Sequence, residues 1–278
     1  MMLTSTIAAS DVVAIEIGGM AIALRTHDPA FRQLLENRYT GFVKPSSSPQ
    51  FEFDVDLFEP SDPVESSNTI EADEDVRVSL DAGQWSLQRG DFRARWDSRA
   101  GRGHIRQSRN PYAIDSVLRI VHTLILARQG GFLLHAASAI RGGRAFLFAG
   151  VSGAGKTTIS RLAPADATLL TDEISYVRLE GDKYVAWGTP FAGELAKVGE
   201  NQSAPLKTLF LLEKGLDNRI EPVPTSEAIQ LVMRNILFFA EDTELVNLVF
   251  HSACEFVERV PVRRLIFVPD ERVWEMVM

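Results

Sequence analysis

The segment Gly150-Val-Ser-Gly-Ala-Gly155-Lys156-Thr157 constrains this chain more than any other feature. It matches G-x-x-x-x-G-K-[ST] at every fixed position. At ordinary glycine usage, a chance match in a chain this long arises roughly once in a hundred. Its setting fits as well. The apolar run Arg144–Ala149 precedes it and reads as a buried strand, and residues from Thr158 to Leu162 can form a helix after it. Glycines let backbone N–H groups curl around phosphate oxygens without a Cβ in the way. A helix start adds further donors. Lys156 then reaches the outer phosphates, and the Thr157 hydroxyl suits Mg²⁺. The expected nucleotide contacts are Gly150, Ser152, Gly153, Ala154, Gly155, Lys156, Thr157 and Thr158, with ATP or GTP and Mg²⁺ as cofactors.

A metal bound beside phosphates needs carboxylates. Thr168-Leu-Leu-Thr-Asp172-Glu173 ends an apolar strand in two adjacent acids, 15 residues after Thr157. One acid can serve Mg²⁺ and the other can stand near a nucleophile, its basicity set by its neighbour. His135 lies in the strand-like Phe132-Leu-Leu-His-Ala-Ala-Ser138, and Glu194 follows Thr189-Pro-Phe-Ala-Gly193 on a turn-like segment. Taken alone, His135 reads more readily as a core residue and Glu194 as part of a plain turn.

Composition narrows the class. The 278 residues carry 29 basic and 37 acidic side chains, a net charge of −8. Such a chain is a poor polyanion binder, so no nucleic-acid partner is expected. The apolar runs are too short for a membrane-spanning helix, and Met1–Ser10 lacks a basic signal region. One cysteine, Cys254, excludes an internal disulfide and is read as a packed residue rather than a nucleophile. The expected location is the cytoplasm.

Two domains are expected, 1–110 and 111–278, with Asn110-Pro111 as punctuation. The first is β-rich. Phe51–Leu57 alternates apolar and acidic residues, and Phe92–Trp96 alternates with Arg93 and Arg95 outward. Val12–Ile17 and Ala21–Arg25 flank a Gly18-Gly19 turn, and Val76–Leu80 and Trp85–Gln88 read as a hairpin. Pro29–Arg38 reads as a helix, and residues 44–49 and 59–69 as loops. Residues 52–75 hold ten acids and no base, whereas 93–109 hold six arginines. Cross-strand pairing of the two faces is the favoured reading, ahead of a surface for an acidic partner. In the second domain, apolar residues at 114, 117, 118, 121, 124 and 125 mark a helix. Strands are expected at 132–139, 144–149, 167–171, 174–179, 207–213 and 263–268, with a short one at Tyr184–Trp187. Helices are expected near 156–162, 225–239 and 242–259.

Leu133-Leu-His135-Ala, Gly150–Thr157 and Leu-Leu-Thr-Asp172-Glu173 together resemble the HPr kinase/phosphorylase family. With Gly188-Thr-Pro-Phe-Ala-Gly-Glu194, the chain is most similar to HPr-kinase-related serine kinases, over roughly residues 110–278. The acidic pair is Asp-Glu where HPr kinases have Asp-Asp. The resemblance implies an α/β P-loop kinase core of the HPr kinase/phosphoenolpyruvate carboxykinase type behind a β-rich (α+β) N-terminal domain. It implies Asp172 as general base toward a serine hydroxyl, Glu173 as metal ligand and His135 near the transferred phosphate, with Lys156 on the phosphates; the expected metal ligands are Thr157, Glu173 and Asp172. Glu194 becomes a possible substrate contact. The expected activity is transfer of the ATP γ-phosphate to a serine of a protein or peptide acceptor by a possible homo-oligomer. A nucleotide-binding sensor without transfer, or a small-molecule kinase, is the alternative. Arg219, Arg234 and Arg263 are candidates for a charge-stabilising arginine, and nothing in the sequence separates them.

Overall fold

The computed structural model describes residues 11–44, 48–58, 76–191, 193, 195 and 198–278. Glu194, the expected loop 59–69 and seven of the ten acids in 52–75 lie outside the described residues, as do residues 45–47 of the loop expected over 44–49. The chain is a mixed α/β protein with two sheets. It divides into two compact units, Met1–Val117 and Leu118–Met278.

The first unit holds β1 (Val12–Ile17), β2 (Met20–Arg25), α1 (Pro29–Arg38), β3 (Phe51–Leu57), β4 (Arg77–Asp81), β5 (Gln84–Arg89), β6 (Phe92–Asp97) and β7 (Arg102–Gln107). The strands form one sheet in the order β1-β2-β3-β7-β6-β5-β4. Two-residue turns close its β1–β2 and β4–β5 hairpins. Gly18 and Gly19 both have positive φ, as do Ala82 and Gly83, the twist that matches paired strands. Asp28 caps α1 by accepting from the Phe31 N–H at 2.9 Å, with Pro29 at its first position.

The charge segregation is partly absorbed inside this sheet. The acidic face of β3 is flanked by β2 and β7, not by the Arg93–Arg95 strand β6, which lies one strand further out. Glu52 faces Arg25 at 3.9 Å and Arg102 at 3.8 Å, and Asp56 meets His104 at 2.8 Å. β7 was not expected, because Gly103 interrupts its alternation. A Cβ there would meet Phe53 at 2.4 Å, so the glycine lets β7 close on β3.

α2 (Pro111–Arg128) carries the boundary between the units. The second unit continues with β8 (Phe132–Arg141), β9 (Arg144–Ala149), α3 (Lys156–Arg161), β10 (Thr168–Thr171), β11 (Ile174–Glu180), β12 (Lys183–Trp187) and β13 (Ser203–Lys214). It ends with β14 (Arg219–Pro222), α4 (Thr225–Asn235), β15 (Ile236–Leu237), α5 (Thr243–Arg259), β16 (Val262–Phe267) and a 3₁₀ helix at Glu271–Met276. β9 pairs antiparallel with β8 and parallel with β13, and β13 pairs parallel with β16.

β9 is apolar from Ala145 to Ala149 because both its faces are covered there. Ala145, Leu147 and Ala149 pack into one core with Ala228, Val232 and Phe256 of α4 and α5. Phe146 and Phe148 pack into another with Ile159, Phe210 and Trp274. The Trp274 indole donates to the Ile159 carbonyl at 3.0 Å and ties α3 to the C-terminal 3₁₀ helix. The helix expected over 225–239 stops at Asn235, since Ile236 and Leu237 pair instead with Leu134 and Leu133 of β8. Among the described residues, no helix is long and apolar enough to cross a membrane.

Candidate active site

The glycine loop leaves the end of β9 at Gly150 and turns into α3 at Lys156. Gly155 occupies the helix N-cap with φ of 115°, and no side chain caps the helix. That conformation favours glycine, and a Cβ would in any case meet Phe267 at 2.6 Å. The Lys156 ammonium folds back over the loop, donating to the Gly150 carbonyl at 2.8 Å.

The acidic pair sits on the bend between β10 and β11. The Thr171 hydroxyl accepts from the N–H groups of Glu173 (3.2 Å) and Ile174 (3.3 Å), so one side chain shapes the bend. Asp172 is only 3% exposed. Its two oxygens accept from the backbone of the 188–200 segment, Oδ1 from Gly193 N–H and Oδ2 from Leu195 N–H, each at 2.9 Å. Each oxygen keeps a second acceptor position. The carboxylate plane is thus fixed by the loop. Gly193 also touches the pair from above, since a Cβ there would lie 2.8 Å from Glu173 Cβ and 3.0 Å from Asp172 Oδ2. Glu173 is more open, with a third of its side chain exposed and Arg119 of α2 at 3.9 Å.

β8 delivers His135 opposite Ile174 of β11, on the strand face it shares with Ala137 and Ala139. Burial, and then the charges of Lys156 and Arg119, hold its imidazole below the usual histidine range. A neutral ring at pH 7 can donate or accept a hydrogen bond.

These parts meet in one cavity of about 290 Å³. His135, Ser152, Gly153, Gly155, Lys156, Thr157, Thr158, Asp172 and Glu173 all line it. Gly150 lines a neighbouring cavity instead, and Ala154 is buried in the core behind the loop. The site lies beyond the C-terminal ends of the parallel strands β9 and β13, where open α/β sheets form crevices.

Two cations were not expected. Lys214 lines the cavity from the end of β13. Arg119 reaches Glu173 and places its guanidinium 4.9 Å from the Phe191 ring centroid. Of the arginines expected, Arg219 is bound to Asp217 and Glu221 and Arg263 donates to the Val262 carbonyl, whereas Arg234 lines the neighbouring cavity. Among the described residues, no three His, Cys, Asp and Glu side chains converge as a ready metal cage. The donors present are a threonine hydroxyl and two carboxylates beside a glycine loop with one lysine. That set fits Mg²⁺, which keeps several ligands for water and phosphate, better than a resident metal.

The comparison with curated proteins finds no match. Among solved structures, an Hpr(Ser) kinase/phosphatase from Coxiella burnetii is 14% identical, over 43% of this chain and 93% of its own, with a TM-score of 0.24. That likeness is too low to carry a fold or an activity across. A family model described as SynChlorMet cassette protein ScmC matches residues 107–278, more than half the chain and all of the candidate site. The chain therefore belongs to the SynChlorMet cassette protein ScmC family.

Proposed function

We propose that this chain is an Mg²⁺- and ATP-dependent kinase that moves the γ-phosphate to a serine hydroxyl of a protein or peptide. One observation carries the reading. The glycine loop with Lys156 and Thr157, the acids Asp172 and Glu173, and His135 come from separate parts of the sequence and line one cavity. A phosphate-binding loop alone would need no buried, doubly held carboxylate such as Asp172 with a second acid, Glu173, beside it.

On this reading, the loop backbone and Lys156 bind the outer phosphates. Thr157 and Glu173 would hold Mg²⁺, which would supply positive charge to the phosphates when bound. Asp172, held by the Gly193 and Leu195 amides, takes the hydroxyl proton. The serine oxygen forms a bond to the γ-phosphorus as the bond to the β-phosphate oxygen breaks, and ADP leaves. His135 donates a hydrogen bond to the moving phosphoryl group, and Lys214 and Arg119 add positive potential. Positioning and electrostatics supply most of the catalysis in such chemistry.

Binding of a fluorescent ATP analogue and incorporation of γ-labelled phosphate into seryl peptides test this together. Lys156→Ala is expected to weaken binding at least about tenfold, from the loss of a charge-assisted contact. Asp172→Asn is expected to keep most binding and lower transfer by about a hundredfold or more. Nucleotide binding indifferent to Lys156→Ala would overturn the reading. Tight binding with no transfer would leave a nucleotide sensor.

A further inference from the structure

A second cavity, of about 440 Å³, adjoins the first. His135 and Ser152 line both. The second adds Gly150 and Val151, from the first half of the glycine loop, while Lys156, Thr157 and Thr158 from the second half line only the first. If phosphates occupy the first cavity, the shared His135 marks the phosphoryl group that moves. The second cavity then opens on the reacting end of the nucleotide.

Its walls are apolar where Leu211, Leu212 and Leu231 line it. Most of its charges are spent on each other, since Arg264 donates to Glu213 at 2.9 Å and to Glu227 at 2.6 Å. Arg234, on the last turn of α4, is different. It lines the cavity, is exposed, and has no ion pair or hydrogen bond to another described residue. The cavity therefore offers an aliphatic wall and one unspent positive charge.

We propose that this cavity receives the acceptor as an extended peptide segment, with its serine against His135, an aliphatic side chain on Leu231 and an acidic residue facing Arg234. The proposal rests on the kinase reading above and names its substrate class. An aliphatic wall beside one unpaired cation suits side chains spaced along an extended chain.

The test separates binding from transfer. Peptides with a central serine and randomised flanks are captured on the full-length protein with Mg²⁺ and a non-hydrolysable ATP analogue, and the retained pool is sequenced. Enrichment of Asp or Glu together with Leu, Ile or Val is expected. Arg234→Glu should cut the acidic enrichment by about two- to fivefold, the scale of one exposed ion pair. Leu231→Arg should remove the aliphatic enrichment, with binding of the fluorescent nucleotide as the check on folding for both variants. A pool without acidic enrichment, or one that Arg234→Glu leaves intact, overturns the proposal. Retention of no peptide overturns it too, and is the result a small-molecule acceptor would give. Enriched peptides that bind through Arg234 but accept no γ-phosphate would uphold the cavity assignment and refute the kinase reading.

Discussion

His122 gives the sharpest physical test of the second unit. It lies on α2 with no exposed surface, its ring edge-on to Tyr176 with centroids 5.5 Å apart. Neither ring nitrogen has a hydrogen-bond partner among the described residues, and the Tyr176 hydroxyl lacks one as well. Burial alone pushes the imidazole down to about 3. An unfolded histidine titrates near 6.5. Above pH 6.5 neither state binds the proton, so His122 adds no pH dependence. Below it, the unfolded chain takes up a proton that the folded chain refuses until about pH 3. Stability contributed at neutral pH is therefore lost on acidification, at about 1.4 kcal/mol per pH unit. By pH 5 the loss is about 2 kcal/mol. His122→Phe keeps an aromatic ring in the space and removes the titration. Urea unfolding of the full chain and of the variant, followed by circular dichroism at several values from pH 7.5 to 5, reads the difference. Carboxylates and the remaining histidines are common to both proteins and cancel. The difference should stay constant above pH 6.5 and move by about 2 kcal/mol in the variant's favour by pH 5. A difference that stays flat down to pH 5 would show that the folded protein accommodates the imidazolium, and would refute the argument.

Three further outcomes follow from close contacts. Gly193→Ala should displace the acidic pair, lowering transfer about tenfold or more while leaving nucleotide binding nearly intact, because its Cβ would crowd Glu173 and Asp172. Equal kcat in the variant would refute the loop's role in positioning. Gly155→Ala should lose nucleotide binding, since it meets both a left-handed backbone costing about 1–3 kcal/mol and the Phe267 ring; a fluorescent-nucleotide titration decides it. Asp115, buried at 3% exposure, accepts from Arg38 and from the Tyr39 hydroxyl. Asp115→Asn should destabilise the first unit by about 1–3 kcal/mol by leaving the half-buried Arg38 without its counter-charge, and an unchanged Tm would count against that.

Local chemistry was legible in the sequence; what topology brings together was not. The run Arg144–Ala149 announced a strand because burial on two faces leaves no place for polar residues. The Gly18-Gly19 turn and Gly83 of the second turn were readable because glycine adopts positive φ readily, whereas Ala82 takes it without signalling it. The end of α4 was missed because pairing of Ile236 and Leu237 with β8 outweighs a continuing helical pattern. β14 was missed because Arg219–Pro222 is short, mostly exposed and ends in a proline. At the site, the motif gave the loop and the acids. Lys214 reaches the cavity only because β13 runs parallel beside β9, and Arg119 only because α2 presents it to Glu173. Neither has a neighbour in sequence that signals it.

The double amide grip on Asp172 has an evolutionary corollary. Surface connections usually tolerate insertions and deletions, because nothing reads their length. The stretch from Thr189 to Leu195 is read at both ends. The Thr189 hydroxyl donates to the Ile174 carbonyl at 2.7 Å, and the Gly193 and Leu195 amides close on the carboxylate 21 and 23 residues upstream. A residue gained or lost between them would slide the amides off the oxygens and turn the carboxylate with them. Length variation among related sequences should therefore collect elsewhere, and a homologue altered in this span should also have lost or replaced its acid at 172.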